Sequence, residues 1–267
     1  MTVYPFAIHF GSFAITGFGL MMMAAFLTAG WVLARAREAD GEDPALAWDC
    51  VVAAVIGGLL GAKLYYAVLT GRADALFSRG GLVWYGGLLG GSLAVLGLLW
   101  WRRVGVRAMA DQVAPALMAG YALGRVGCFL VGDDYGLPTS LPWGMKFPQG
   151  SPPTTVRSLQ SAFGIAPPEG ASPDTIVAVH PTQLYEVTAA LVLFALLWRW
   201  RKRFGPQGRL AAVALVALGT ERLLVELLRA KDDRFLGPFT LAQAISAMAI
   251  VAGVVMFRRL KGATGAT

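Results

Sequence analysis

The chain has 267 residues, of which 56% are hydrophobic and 15% charged, with 33 glycines and a formal net charge of +7. Soluble domains average roughly 25% charged residues, so this composition excludes an ordinary soluble domain and points to the bilayer. The positive balance does not require nucleic acid as a partner, because the sequence sorts its basic residues by side of a membrane.

A spanning helix needs about 20 mostly apolar residues. Seven stretches meet this in chain order: roughly 12–34, 45–70, 82–101, 108–131, 182–200, 210–229 and 239–257. The fifth is short and the fourth is the most polar, which leaves six spans as the alternative. Met1 to Thr16 has no basic leader region, so the first span is expected to remain in place. The runs around Gly57-Gly58, Gly86-Gly87, Gly90-Gly91 and Gly120 to Gly124 put small residues at four-residue spacing. That spacing lets helix backbones approach closely in lipid.

The connections between spans carry thirteen Lys and Arg on one side and seven on the other. The richer side is expected to be cytoplasmic. The N-terminus then lies outside and the C-terminal tail inside. The longest connection, 132–181, is also outside; it holds nine prolines and is too broken to lie in hydrocarbon. It reads as an extracytoplasmic head inserted between spans four and five, with a short helix at Arg157 to Phe163. Its tip, 150–176, is either part of that head or a mere surface insertion.

Charges inside apolar runs are the functional signal, since a charge at membrane depth is costly and normally faces a protein-lined cavity. Arg125 falls six residues before the outer end of span four, about 9 Å deep at 1.5 Å per residue. Glu186 lies within two turns of the outer start of span five. Glu221, Arg222, Glu226 and Arg229 follow in span six, with Arg222 and Glu226 on one helix face. Lys63 and Tyr85 lie at similar depth, whereas Asp49 and Asp111 near the inner face read as helix-start residues. Two arginines at one depth suit the planar, anionic oxygens of a phospholipid phosphate. The cysteines Cys50 and Cys128 read as buried free thiols. The only histidines are His9 and His180, there is no Cys/His metal spacing, and no glycine-rich nucleotide loop is present. No metal or cofactor is therefore expected.

Five segments resemble one family. Gly124-Arg125-Val126-Gly127-Cys128 running to Gly132-Asp133-Asp134-Tyr135-Gly136 resembles the signature of prolipoprotein diacylglyceryl transferases. His180-Pro181-Thr182-Gln183-Leu184-Tyr185-Glu186 matches a motif of that family in full. Pro142-Trp143-Gly144-Met145, the Arg222-x-x-x-Glu226-x-x-Arg229 helix and Gly237-Pro238-Phe239-Thr240 are similar to further segments of it.

The resemblance implies an all-α integral membrane enzyme of about seven helices in the bacterial inner membrane. It implies transfer of the diacylglyceryl group of phosphatidylglycerol to the lipobox cysteine of a prolipoprotein signal peptide, with glycerol phosphate leaving. Arg125, Arg222, Glu226, Tyr85 and His180 become candidates for the chemistry. Gly136, Asp133, Cys128, Gln183, Tyr185, Glu186 and Arg229 become candidates for the substrate site. His180, standing before Pro181, serves equally well to bind backbone and fix the loop.

Departures from the family pattern touch the proton acceptor. Tyr85 stands where His is common and Cys128 where Asn is common, while Leu218 and Phe18 replace frequent tyrosines. A tyrosine with an ordinary pKa of about 10 is a poorer base than histidine near neutral pH. Two other readings are a phospholipid-binding or flipping protein without chemistry, and a divergent paralogue with altered substrate.

Overall fold

Each of the seven apolar runs folds as an α-helix. The computed structural model describes residues 1–10, 13–77, 81–166, 170–204, 207–230, 234–236 and 239–261. In chain order the long helices are α1 (Gly17–Ala39), α2 (Ala45–Thr70), α3 (Trp84–Trp101), α4 (Val106–Val131), α6 (Thr182–Trp200), α7 (Arg209–Glu226) and α8 (Leu241–Lys261). The short α5 (Val156–Phe163) lies between α4 and α6. Two small hairpins pair β1 (Ala7–Phe10) with β2 (Phe13–Thr16) and β3 (Arg234–Leu236) with β4 (Phe239–Thr240). Arg79 and Lys231 among the basic residues of the connections, Pro167 and Pro168 of the long connection, and Gly237 and Pro238 of the last motif segment lie outside the described residues.

Five helices, α1 to α4 and α8, are long and apolar enough to cross a membrane. The helices α6 and α7 are not among them, and α7 holds Arg209, Glu221, Arg222 and Glu226 within its 18 residues.

The expected boundaries shift where local chemistry intervenes. The first helix begins at Gly17 rather than near 12, because the preceding residues pair as a hairpin. Thr16 ends that hairpin and caps the helix, its Oγ1 accepting from Gly19 N at 3.2 Å. The last helix begins at Leu241, where Thr240 and Gln243 exchange backbone-to-side-chain hydrogen bonds of 3.1 Å each, a reciprocal cap. The sixth run stops being helical at Glu226, three residues short of the expected 229.

The helices pack as pairs, α2 on α3, α1 on α4 and α7 on α8, with α6 against α4. Glycine sets the first of these contacts. A Cβ on Gly61 would strike the Gly86 carbonyl, and one on Gly57 would meet Gly90 O at 2.6 Å. The backbones thus touch directly, as small-residue spacing in lipid requires. Of the two residues expected at helix starts, Asp111 takes such a role and Asp49 does not. Asp49 pairs with Arg102 at 2.7 Å. Asp111 caps a different helix, accepting from Gly208 N at 2.7 Å and Ala211 N at 2.8 Å at the start of α7.

The proline-rich stretch between α4 and α6 has its own core. Tyr135, Phe147, Leu159, Val179 and Ala230 are buried together, with the Tyr135 and Phe147 rings stacked at 5.7 Å. The Tyr135 hydroxyl donates to Pro152 O at 2.8 Å. Bridges join Met145 to Val179 and Thr155 to Ile176. The helix α5 packs Val156 and Leu159 inward, so the described part of the 150–176 tip is built into the head rather than added to it. Val3 N donates to Lys146 O at 2.9 Å, tying the chain's beginning to the same region.

Candidate active site: a closed ring of alternating charges

The site is assembled where α4 ends, α6 begins and α7 ends. The helix α4 presents Tyr121 and Arg125 one turn apart, with the Arg125 guanidinium 5.4 Å from the Tyr121 ring centroid. It terminates at Gly132, whose φ of 74° lets the backbone turn in the left-handed region. Asp134 also has a positive φ, 56°. Aspartate tolerates that region better than most residues, and here the turn swings its carboxylate back over α4.

The first turn of α6 holds this loop from behind. Thr182 Oγ1 donates to Asp134 O at 2.8 Å, and Gln183 Nε2 donates to Asp133 O. Both side chains are fully buried. One turn further, Glu186 enters the centre of the site, also fully buried.

Six charged side chains then close a ring. Arg125 Nη1 lies 2.8 Å from Asp134 Oδ2 and 3.4 Å from Glu186 Oε2. Arg222 Nη1 meets Glu186 Oε1 at 2.9 Å, and its Nη2 meets Glu226 Oε2 at 2.8 Å. Arg229 Nε lies 3.9 Å from Glu226 Oε2, and its Nη2 donates to Asp134 Oδ1. Each arginine thus faces two carboxylates and each carboxylate two arginines. Burying a charge is tolerable only with such pairing. Tyr121 donates to Glu186 Oε1 at 2.7 Å, and Thr240 Oγ1 donates to Glu226 Oε1 at 3.0 Å.

The three arginines are not equivalent. The Arg229 side chain is 4% exposed, against 17% for Arg125 and 21% for Arg222. Arg229 is a closing strut, while Arg125 and Arg222 keep an open face beside the shared Glu186. Burial raises the Asp134 carboxyl, but Arg229 and Arg125 outweigh it and hold the group below the usual carboxylate range. Asp133, next along the chain, is pushed up to about 6 by burial and by the Asp134 charge.

An apolar cavity of about 410 Å³ lies between α1, α2, α3 and α4, lined by Met22, Phe26, Val51, Leu117, Tyr121 and Gly124 among others. Tyr121 lines this cavity and hydrogen-bonds the ring member Glu186, so it links the two. A second cavity of about 450 Å³ lies toward the start of α4 beside Asp40, Glu42 and Gln112. Its Gln112 and Glu42 are tied to buried Arg37, at 3.1 and 2.8 Å.

The expected site residues divide. Arg125, Arg222, Glu226, Glu186 and Arg229 come together in the ring. Cys128 is buried beside it, its Sγ 3.6 Å from Arg125 Nη1. Gly136 permits a close approach, with no room for a Cβ against Leu228 O, His180 and Thr182. That approach is between protein main chains: Gly136 N donates to His180 O at 2.8 Å and Leu137 N to Leu228 O at 2.7 Å. His180 therefore fixes the loop through its backbone, and its ring Nδ1 lies 3.2 Å from the Tyr185 hydroxyl. Tyr185 in turn accepts from Trp143 Nε1 at 2.8 Å. Among the described residues neither His180 nor Tyr185 pairs with a ring member. Asp133, a candidate for the substrate site, contributes its carbonyl, and its neighbour Asp134 supplies the carboxylate of the charge network. Cys128, Asp133 and Asp134 bring three ligand atoms within 4.8 Å of one another, but both Asp134 oxygens are taken by arginines. Tyr85 sits in the first turn of α3, half-buried, its ring edge-on to Trp84 at 5.2 Å.

Tyr121, Asp134, Thr182 and Thr240 were not evident from the sequence. Tyr121 alone carried a usable signal, a hydroxyl one helical turn before Arg125.

The family model described as prolipoprotein diacylglyceryl transferase matches residues 5–259. The chain belongs to this family. Among similar proteins, one from Cupriavidus metallidurans is 33% identical, covering 98% of this chain and 96% of the relative. One from Burkholderia thailandensis is 34% identical, covering 94% and 93%. One from Bordetella avium is 32% identical, covering 95% and 93%. All three bear the name phosphatidylglycerol–prolipoprotein diacylglyceryl transferase. The matched range takes in every residue of the ring, so in a prolipoprotein diacylglyceryl transferase this site lies within the family's own frame.

Proposed function

We propose that this chain transfers the diacylglyceryl group of phosphatidylglycerol to the lipobox cysteine of a prolipoprotein. The names of its relatives supply the reaction, and the ring supplies a place for it. The observation that carries the reading is the pair of partly exposed arginines, Arg125 and Arg222, joined by buried Glu186, which accepts from Tyr121, a residue that also lines the apolar cavity.

In this reading the cavity receives an acyl chain and the two guanidinium faces receive the phosphate. The substrate's thiolate attacks the glyceryl carbon, because thiolate and not thiol is the nucleophile. The carbon–sulfur bond forms as the carbon–oxygen bond to phosphate breaks, and glycerol phosphate carries away the electron pair. Negative charge grows on the phosphate as it leaves. Arginines already fixed by carboxylates need no reorganisation to meet that charge, which is the condition for effective electrostatic catalysis. Glu226 orients Arg222, and Arg229 with Asp134 braces the ring. The Tyr85 hydroxyl, at the start of α3, takes part in handling the headgroup or the thiol proton.

We place the protein in the bacterial inner membrane as seven spans, with α6 and α7 turning their charges inward. The N-terminus and the 132–181 head are outside and the C-terminus is cytoplasmic. The basic-residue asymmetry supports this, and the contact of Val3 with Lys146 puts the N-terminus and head on one side. The test is incubation of purified protein with phosphatidylglycerol and a synthetic lipobox peptide, read by mass spectrometry. The peptide should gain one diacylglyceryl group, and a cysteine-to-serine peptide should not. Unchanged mass under all lipid conditions would overturn the reading.

A further inference from the structure

The second cavity lies at the other end of α4 from the ring, and the transfer reaction gives it no task. It opens where α1 ends, α4 begins and the link from α6 to α7 passes. Along α4 its wall is Ala108, Asp111, Gln112 and Pro115, which share one helix face. From Ala108 to Pro115 that face runs about 10 Å at 1.5 Å per residue. The charged groups of the wall belong to the helix ends, and Pro115 lies furthest into the apolar run. Trp48 at the start of α2 and Trp100 and Trp101 at the end of α3 are exposed at this same end of the molecule. Exposed tryptophans at helix ends mark the level of lipid headgroups.

Most charges of the wall are already matched. Asp111 accepts from the first backbone N–H groups of α7, and Glu42 pairs with buried Arg37 at 2.8 Å. Two charges are left over. Arg201 lies 4.2 Å from the Trp198 ring centroid, and its Nη1 is buried with no hydrogen-bond partner among the described residues. Asp40 accepts from the neutral amide of Gln112 at 2.9 Å, and among the described residues no cation pairs with it. Lys202 donates instead to Ala39 O, at 3.4 Å. A buried donor without a partner is unfavourable. A cation and an anion therefore face one cavity without meeting. The ligand that satisfies both carries an anionic acceptor and a cationic donor a few bonds apart.

We propose that this cavity binds the headgroup of an inner-leaflet aminophospholipid, with the phosphate on Arg201 and the primary ammonium on Asp40. A guanidinium suits phosphate oxygens, and an ammonium brings three N–H donors to the carboxylates of Asp40 and Glu42. An anionic headgroup without an ammonium meets those carboxylates with nothing to offset them. A quaternary ammonium cannot donate and is held by aromatic cages, whereas this wall offers the single aromatic ring of Phe204. Ala36, Pro115 and Phe204 give the glyceryl end of the acyl chains an apolar surface. Bound there, the lipid ties the end of α1 to the start of α4 and to the α6–α7 link. The inference rests on these helix ends lying at the inner membrane surface, and not on the transferase reading.

The experiment measures lipid binding to the full-length protein in detergent by native mass spectrometry. The probes are short-chain phosphatidylethanolamine, phosphatidylcholine and phosphatidylglycerol, with soluble phosphoethanolamine as a competitor. Wild type is compared with Arg201→Gln and Asp40→Asn. Asp40 is exposed and its asparagine still accepts from Gln112, so the second variant serves if the first does not fold. Kd for phosphatidylethanolamine should rise on the order of tenfold in each variant, the scale of one lost hydrogen bond to a charged group. Kd for phosphatidylglycerol should hold in both, and Arg222→Lys should give the reverse pattern. Phosphatidylcholine should bind more weakly than phosphatidylethanolamine. Unchanged phosphatidylethanolamine binding in a folded variant overturns the proposal, as does an equal weakening of both lipids. Displacement by phosphoethanolamine at the lipid's own affinity overturns the assignment to a lipid in favour of a free zwitterion. The expected binding pattern without any thioether product on a lipobox peptide sinks the transferase reading alone and leaves this site standing.

Discussion

Arg229 donates to Asp134 across 95 residues of sequence, and this contact closes the ring. Each of the two lies just beyond a helix end, Asp134 after α4 and Arg229 after α7. Helix α7 stops at Glu226, and the residues that follow reach the loop after α4, where Gly136 and Arg229 form a backbone bridge. The pair therefore joins two elements that no regular structure connects. Arg229→Leu should lower stability by about 2–3 kcal/mol, since it leaves Asp134 with one cation and Glu226 with a weaker partner. Thermal unfolding in detergent checks this. A combined Asp134→Asn, Arg229→Gln variant should lose less than the sum of the single changes. Strict additivity would mean that the contact does not couple the two elements.

Asp133 gives the fold a pH dependence of definite sign. Its carboxyl is raised from an ordinary 3.8 to about 6, by burial first and the Asp134 charge second. A raised acid is stabilising in its protonated form, so its contribution is complete below 3.8 and is lost as pH rises through about 6. Asp133→Asn should therefore be more stable than wild type above that pH, and the advantage should vanish in acid. Melting temperatures at a series of pH values test it. A variant less stable than wild type at neutral pH would show that the ionised carboxylate is needed.

Tyr85 stands apart from the ring, and its hydroxyl has no hydrogen-bond partner among the described residues. Its neighbour Trp84 lines the apolar cavity. A hydroxyl so placed is available to substrate. Tyr85→Phe keeps the ring and should slow transfer on the order of 10²-fold, the effect of losing a positioned acid–base group. Tyr85→His should retain activity. Wild-type rates in Tyr85→Phe would remove the hydroxyl from the mechanism and leave Tyr85 as an interfacial aromatic.

The orientation has its own test at Ser172, which is exposed in the head. A cysteine placed there should react with a membrane-impermeant thiol reagent added to intact spheroplasts. Cys50 and Cys128 are buried and should stay silent. Labelling only after lysis would reverse the topology.

The helices and most of the ring were legible because charge inside an apolar run is rare and expensive. Arg125, Glu186, Arg222 and Glu226 each stand out for that reason. Asp134 did not, because Asp133 and Asp134 are chemically alike and only the positive φ at Asp134 decides which carboxylate turns back to Arg125. His180 carries two readings, proton transfer and fixing of the loop, and its backbone contacts fit the second. Its residue type suggests proton transfer, but its place in the strand-like contact with Gly136 and Leu137 is set by long-range pairing. The early start expected for the first helix failed. Residues 7–10 and 13–16 are apolar enough for a helix, and only their pairing with each other makes them strands. Tyr121 was within reach, since i,i+4 spacing from Arg125 is a local pattern.

The central claim is that Arg125 and Arg222 bind phosphate with their planar forks, and that the ring around them serves this. Replacing each by lysine keeps the charge, leaves a cation for Glu186, and removes the two-pronged geometry. The most direct measurement is the rate of thioether formation on a lipobox peptide by wild type, Arg125→Lys and Arg222→Lys, with melting temperatures to confirm folding. The account predicts a loss on the order of 10²-fold or more in each folded variant, the scale seen when one preorganised charge-stabilising group is removed. Near-normal rates in both lysine variants would contradict it.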